Sequence, residues 1–196
     1  MTEIEYARLA GVSALLAATM TVVGMITLML FFSRGGRWGT YNDAASVVLM
    51  LALIPVALVL AVIELEVVTT TALVVGALGI AAMVALAVLQ GLLVIGRVTY
   101  EQTKTAVLTL GGIVGVWYLL TAISTGSTDL PDGLRVVAAV SGIGFITVGV
   151  GFALGSERHP LSIVGGLVLF VASLVFQVWL GALFLGGDLS IPSWNV

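Results

Sequence analysis

The chain has 196 residues, of which 60% are hydrophobic and only 9% charged, with a formal net charge of −3 and a mean hydropathy of +1.24. That composition lies far outside the soluble globular range. The absence of cysteine excludes disulfides, thiol chemistry and thiolate-held metals, and slight acidity without a basic run argues against nucleic acid as a partner.

The charges divide the chain into six charge-free windows, residues 9–33, 44–63, 67–96, 105–128, 136–156 and 160–187. A helix needs about 20 apolar residues to cross a ~30 Å hydrocarbon core, and every window is that long. A charge at a helix centre costs roughly 2.5–3.5 kcal/mol on insertion scales, which explains the empty windows. The expected fold is all-α: a polytopic membrane protein, one bundle of six transmembrane helices forming a single domain over residues 1–196. The helices are placed near 8–33, 43–65, 68–96, 103–124, 135–156 and 160–187. The longest connection is about ten residues, so any activity is expected inside the bundle or at its rims.

The first segment follows Met-Thr-Glu-Ile-Glu-Tyr, whose Glu3 and Glu5 precede Arg8. That is the wrong sign for a signal peptide, and a retained helix is expected. In the second, Asn42 and Asp43 are suited to cap the first turn. Pro55 at its middle removes a backbone hydrogen bond and predicts a kink, which membrane helices tolerate. The segment closes on Glu64 and Glu66, which do not share a helical face. Both are expected in the headgroup layer, since a proton or cation site would want a further polar partner at depth.

In the third segment Gly76, Gly79, Met83, Ala87 and Gln90 fall on one face. The fourth carries Gly111 and Gly115, and the fifth Gly142, Gly144, Gly149, Gly151 and Gly155. In lipid, small residues that let backbones approach are the main packing device; the alternative is a partly unwound helix beside a substrate. Gly142 and Gly149, seven residues apart, are predicted to form the closest interhelical contact. Residues 124–133 form a turn-rich loop.

The sixth segment opens at Pro160, a natural first-turn residue. Its face of Ser162, Gly166, Ser173, Gln177 and Gly181, with Phe170 in the gap, is the clearest polar stripe. Gln90 and Gln177 are the amides within the spans, and each needs a partner in hydrocarbon. They should point inward, either as an interhelical hydrogen bond worth roughly 0.6–2 kcal/mol or as part of a pocket for a polar head. The candidate ligand-binding or packing residues are therefore Gln90, Gln177, Ser173, Pro55 and Glu64. Tyr6, Trp38, Tyr41, Tyr100 and Trp194 fall near span ends, as interfacial aromatics do, with Trp117, Tyr118 and Trp179 deeper.

Alternate connections should lie on opposite sides. One side carries Arg34, Arg37, Arg97, Lys104 and Arg158; the other has Arg8 and Arg135 among its acids. The positive-inside rule then makes the first side cytoplasmic and leaves both termini outside. The turns at Gly36-Arg37 and Gly96-Arg97 are about sixty residues apart, and the one at Gly155-Ser156-Glu157-Arg158 follows after about sixty more. Three duplicated hairpins would give this spacing, and so would the ordinary needs of any membrane hairpin.

Mid-span haem ligands, a retinal-binding lysine, a His-Glu-x-x-His set and intramembrane carboxylates at depth are all missing from the windows. The nearest enzymatic set, Glu101, Lys104 and His159, is weak. A non-catalytic role is expected, without a cofactor or metal: an accessory or scaffold subunit, or a binder of a lipid-like ligand, in the cell membrane. A small transporter of a neutral or hydrophobic solute is the alternative, with helices 2 and 5 as its paired interrupted helices. Membrane lipids and other membrane subunits, or further copies of this chain, are the expected partners.

Overall fold

The computed structural model describes residues 3–65, 69–125, 128–155 and 158–189. The expectations placed on Glu66, Gly126, Ser127, Ser156, Glu157 and Trp194 lie outside the described residues. The rest is all-helical: α1 (Glu3–Arg34), α2 (Trp38–Leu65), α3 (Thr69–Val94), α4 (Tyr100–Ser124), α5 (Asp132–Gly155) and α6 (Pro160–Gly186). All six are long and apolar enough to cross a membrane. The shortest, α5, has 24 residues, about 36 Å at 1.5 Å per residue.

Several helices start before their charge-free windows do, because a window marks only the apolar part and Glu, Gln and Arg are good helix formers. One consequence corrects an expectation. α2 begins at Trp38, so Asn42 and Asp43 sit inside the helix rather than capping it. Ser46 Oγ donates to the Asn42 carbonyl at 2.9 Å. α2 also continues as helix through Pro55.

The chain leaves α1 through Gly35 and Gly36, both at φ +66°, and leaves α3 through Gly96 at φ +70°. These left-handed positions favour glycine, so the likeness between the two Gly-Arg turns has a local cause and needs no duplication. At the start of α6, the Nδ1 of the sole histidine, His159, accepts from the Leu161 N–H at 3.3 Å. Pro160 follows in the first turn, as expected.

Each helix packs on its neighbours in the chain, and α1 closes on α6, which makes a ring. Gly11 lies against Leu185 and Phe184, and Gly181 against Leu15, so the start of α1 meets the end of α6. The short connections place Arg34, Arg37, Arg97, Lys104 and Arg158 at one end of the ring, here called the basic end. Glu3, Glu5, Glu64, Asp129, Asp132 and Asp188 lie at the other, the acidic end.

Toward the acidic end the ring is filled. Trp117, Tyr118, Phe176, Leu180, Phe184 and Leu134 are fully buried there. The Tyr118 ring packs edge-on against Phe176 at 5.3 Å and lies nearly parallel to Phe145 at 6.0 Å. A side-chain carbon at Gly79 would run into Trp117, so glycine is what admits the indole.

Candidate functional site: a cavity inside the ring

Toward the basic end the filling stops. All six helices contribute to a cavity of about 530 Å³, within the ~300–1,000 Å³ typical of small-molecule sites. None of the lining residues is charged. Four of the six methionines, Met20, Met25, Met29 and Met50, line it. Flexible thioethers of this kind suit apolar partners of variable shape.

The stripe on α6 supplies one wall. Ser162, Gly166, Phe170, Ser173 and Gln177 all face the cavity, whereas Gly181 packs on α1. On α3 the face divides at mid-helix. Gly76 meets Ala61 and Gly79 meets Trp117, while Leu86 and Gln90 line the cavity.

The floor is polar but neutral. Thr21 Oγ1 donates to Gln177 Oε1 at 2.9 Å, with the Ala17 carbonyl as a second acceptor at 3.0 Å. Ser173 Oγ donates to the Leu169 carbonyl at 2.6 Å. The Tyr118 hydroxyl stands beside the Gln177 amide without a hydrogen bond of good geometry, and Gln90 Oε1, higher in the wall, is also buried without a partner. Buried polar atoms are nearly always bonded, so two groups on the lining have bonding capacity to spare.

The lining reaches the surface on α1 and α6. The exposed residues among those lining the cavity are Met29 and Phe32 on α1 and Ile163 and Leu167 on α6. All four are apolar. α1 and α6 touch from Gly11 and Leu185 down to Thr21 and Gln177; beyond that point both turn apolar side chains to the cavity and to the surroundings at once.

The structure thus brings Gln90, Ser173 and Gln177 around one cavity and leaves two other candidates away from it. Pro55 is half-buried and takes no part in the lining. Glu64 lies toward the acidic end, where it is 2% exposed and packed against the hydroxyls of Thr121 and Ser124 on α4. The last turn of α2 places it on the inward face beside Ile63 and Leu60.

The glycine expectation divides as well. A Cβ on Gly142 would lie 2.5 Å from the Gly115 carbonyl oxygen, but one on Gly149 would find only Leu108 O at 3.7 Å, and Gly149 lines the cavity. The residues missed from sequence are Thr21, Tyr118, Thr121 and Thr125. The last three recur at steps of three and four, a polar face on α4 that was readable. Thr21, one of several α1 hydroxyls, carried no such signal. Among the described residues no hydrogen bond or ion pair joins Glu101, Lys104 and His159; Lys104 Nζ lies 5.9 Å from the Tyr100 ring centre.

No family model, characterised protein or solved structure matches this chain.

Proposed function

We propose that this chain is a multi-pass protein of the cell membrane that binds a neutral, lipid-like molecule and admits it from the bilayer between α1 and α6. The observation that carries the reading is the mouth. An uncharged cavity whose exposed rim is Met29, Phe32, Ile163 and Leu167 suits a solute already dissolved in hydrocarbon, because a water-borne one would meet four apolar side chains first. The polar floor gives a small uncharged head its hydrogen bonds, and the methionine-lined walls receive the tail. The role is non-catalytic, and the chain serves a larger membrane assembly as an accessory subunit or as copies of itself.

Native mass spectrometry of gently extracted protein tests this directly. A bound neutral molecule of lipid-like mass is expected. Co-purifying subunits without any small molecule would leave only the scaffold role. Bridging cysteines placed at Met29 and Ile163 with a bifunctional reagent should slow ligand exchange with vesicles and leave ligand already bound in place.

Transport of the same class of solute is the second reading. It is favoured by the aromatic plug of Trp117, Tyr118 and Phe176, which closes the cavity toward the acidic end as one state of an alternating pathway requires. We also infer that the basic end is cytoplasmic and both termini lie outside. Cysteines at Thr2 and Ser127 should then react with an impermeant thiol reagent in intact cells, and one at Gly36 should not.

A further inference from the structure

Away from the cavity mouth, the last turn of α2 buries a carboxyl group with no positive partner. Glu64 is 2% exposed, and among the described residues no ion pair reaches it. Its nearest polar neighbours are the hydroxyls of Thr121 and Ser124. Even so, Glu64 Oε1 and the buried Thr121 Oγ1 both lack a hydrogen bond of good geometry.

Of the neighbouring hydroxyls, that of Thr121 keeps its proton uncommitted, while the others have spent theirs. Ser124 Oγ gives its proton to the Leu120 carbonyl at 2.8 Å, and Thr125 Oγ1 gives its own to the Thr121 carbonyl at 2.6 Å. Ser124 and Thr125 are left with lone pairs, while the Thr121 oxygen has its lone pairs open as well as its proton. The backbone adds to this, because Glu64 ends α2 while Thr121 and Ser124 end α4, and the C-terminus of a helix carries the negative end of its dipole. Arg135 and Asp132 begin α5 at the same end of the ring. They are occupied with each other at 2.8 Å, and Arg135 Nε also donates to the Ala122 carbonyl at 3.2 Å.

Two helix C-termini, a carboxylate and two hydroxyl oxygens make an oxygen-only environment of net negative potential, which hard cations take. A single carboxylate balances a single positive charge. We propose that Glu64, Thr121 and Ser124 bind one alkali cation of the sodium class. This site is independent of the cavity and of whatever the cavity holds.

The test is a melting series of the full chain in detergent, with choline chloride replaced stepwise by sodium chloride at constant ionic strength. A ligand that binds only the folded state raises the melting temperature in a saturable way, and a rise of several degrees is expected. Glu64→Gln keeps the shape and removes the charge. It should melt without sodium as high as the sodium-saturated parent and ignore the salt. Thr121→Val should raise the half-saturating sodium concentration on the order of tenfold. A parental melting temperature indifferent to sodium overturns the proposal, as does an undiminished response in Glu64→Gln. If Glu64→Gln fails to fold, Thr121→Val and Ser124→Ala decide, and half-saturation unchanged in both sinks it.

Discussion

α6 borders two seams of the ring, and it treats them differently. Toward α5 it is held along its length. Gly144 backs onto the Leu169 backbone, Gly165 meets Thr147 and the Val148 nitrogen, and Gly151 meets Ser162. Toward α1 it is held by Gly11 against Leu185, Gly181 against Leu15 and the Thr21–Gln177 hydrogen bond, and past that bond both helices line the cavity. The neighbouring glycines Gly165 and Gly166 show the contrast within one step of the chain. A Cβ on Gly165 would lie 2.9 Å from backbone, whereas one on Gly166 would find nothing within 4 Å. Small residues permit a close approach, but what stands opposite decides whether they make a contact or a space.

The comparison breaks most sharply at a glycine that faces backbone. Gly142→Leu forces a side chain into the Gly115 carbonyl oxygen and the Leu119 nitrogen, neither of which can rotate away. Overpacking costs about 1–3 kcal/mol and occasionally more, and this variant should sit at the top of that range. A large drop in detergent melting temperature, or failure to recover folded protein, is the expected outcome. A parental melting curve would mean that α4 and α5 separate easily, and the contrast between held and open seams would lose its basis.

A smaller effect is expected where the α1–α6 seam ends. Gln177→Leu removes the acceptor of the Thr21 bond, but Thr21 keeps the Ala17 carbonyl, so no donor is stranded. Interhelical bonds of this kind contribute roughly 0.6–2 kcal/mol, and the melting temperature should fall modestly. Ligand retention in native mass spectra should fall further, because the same amide lies at the polar floor. Thr21→Val combined with Gln177→Leu should cost no more stability than Gln177→Leu alone; an additive loss would show that the two side chains act separately.

The six helices were readable because every charge lies outside the apolar windows, and the α6 stripe because Ser162, Ser173 and Gln177 follow the helical period. Periodicity says which residues share a face, not what that face meets. Glu64 shows the limit: its place at the end of an apolar window fitted a boundary residue, and only the hydroxyls of α4, on a helix distant in the chain, draw it inward. Asn42 and Asp43 have capping chemistry, yet Gly35 and Gly36 reverse the chain early enough for α2 to start at Trp38. Closure of α1 on α6 depends on contacts between the two ends of the chain, and no local pattern encodes it.

The smallest effect on stability should come with a pronounced effect on binding. Gly142 and Gly149 are seven residues apart, and a straight helix drifts only ~20° over a heptad, so both look toward α4. They differ because Gly115 closes on Gly142, while the chain opposite Gly149 is Leu108, whose carbonyl would lie an ordinary 3.7 Å from a new Cβ. Gly149→Leu therefore has room, and its side chain enters space bounded by Val107, Phe145 and Phe152. Exchanging a mid-helix glycine for leucine also removes a backbone-entropy penalty of about 0.5–1 kcal/mol. The variant should melt at or slightly above the parental temperature and yet carry less ligand, because the new side chain occupies part of the cavity. Gly166→Leu should behave alike from the facing wall. If Gly149→Leu instead melts far below the parent, that stretch of α5 is packed as tightly as Gly142, and the space assigned to a ligand does not exist in the folded protein. If both variants keep their stability and their full ligand load, the bound molecule sits elsewhere, and the cavity between α1 and α6 is not its site.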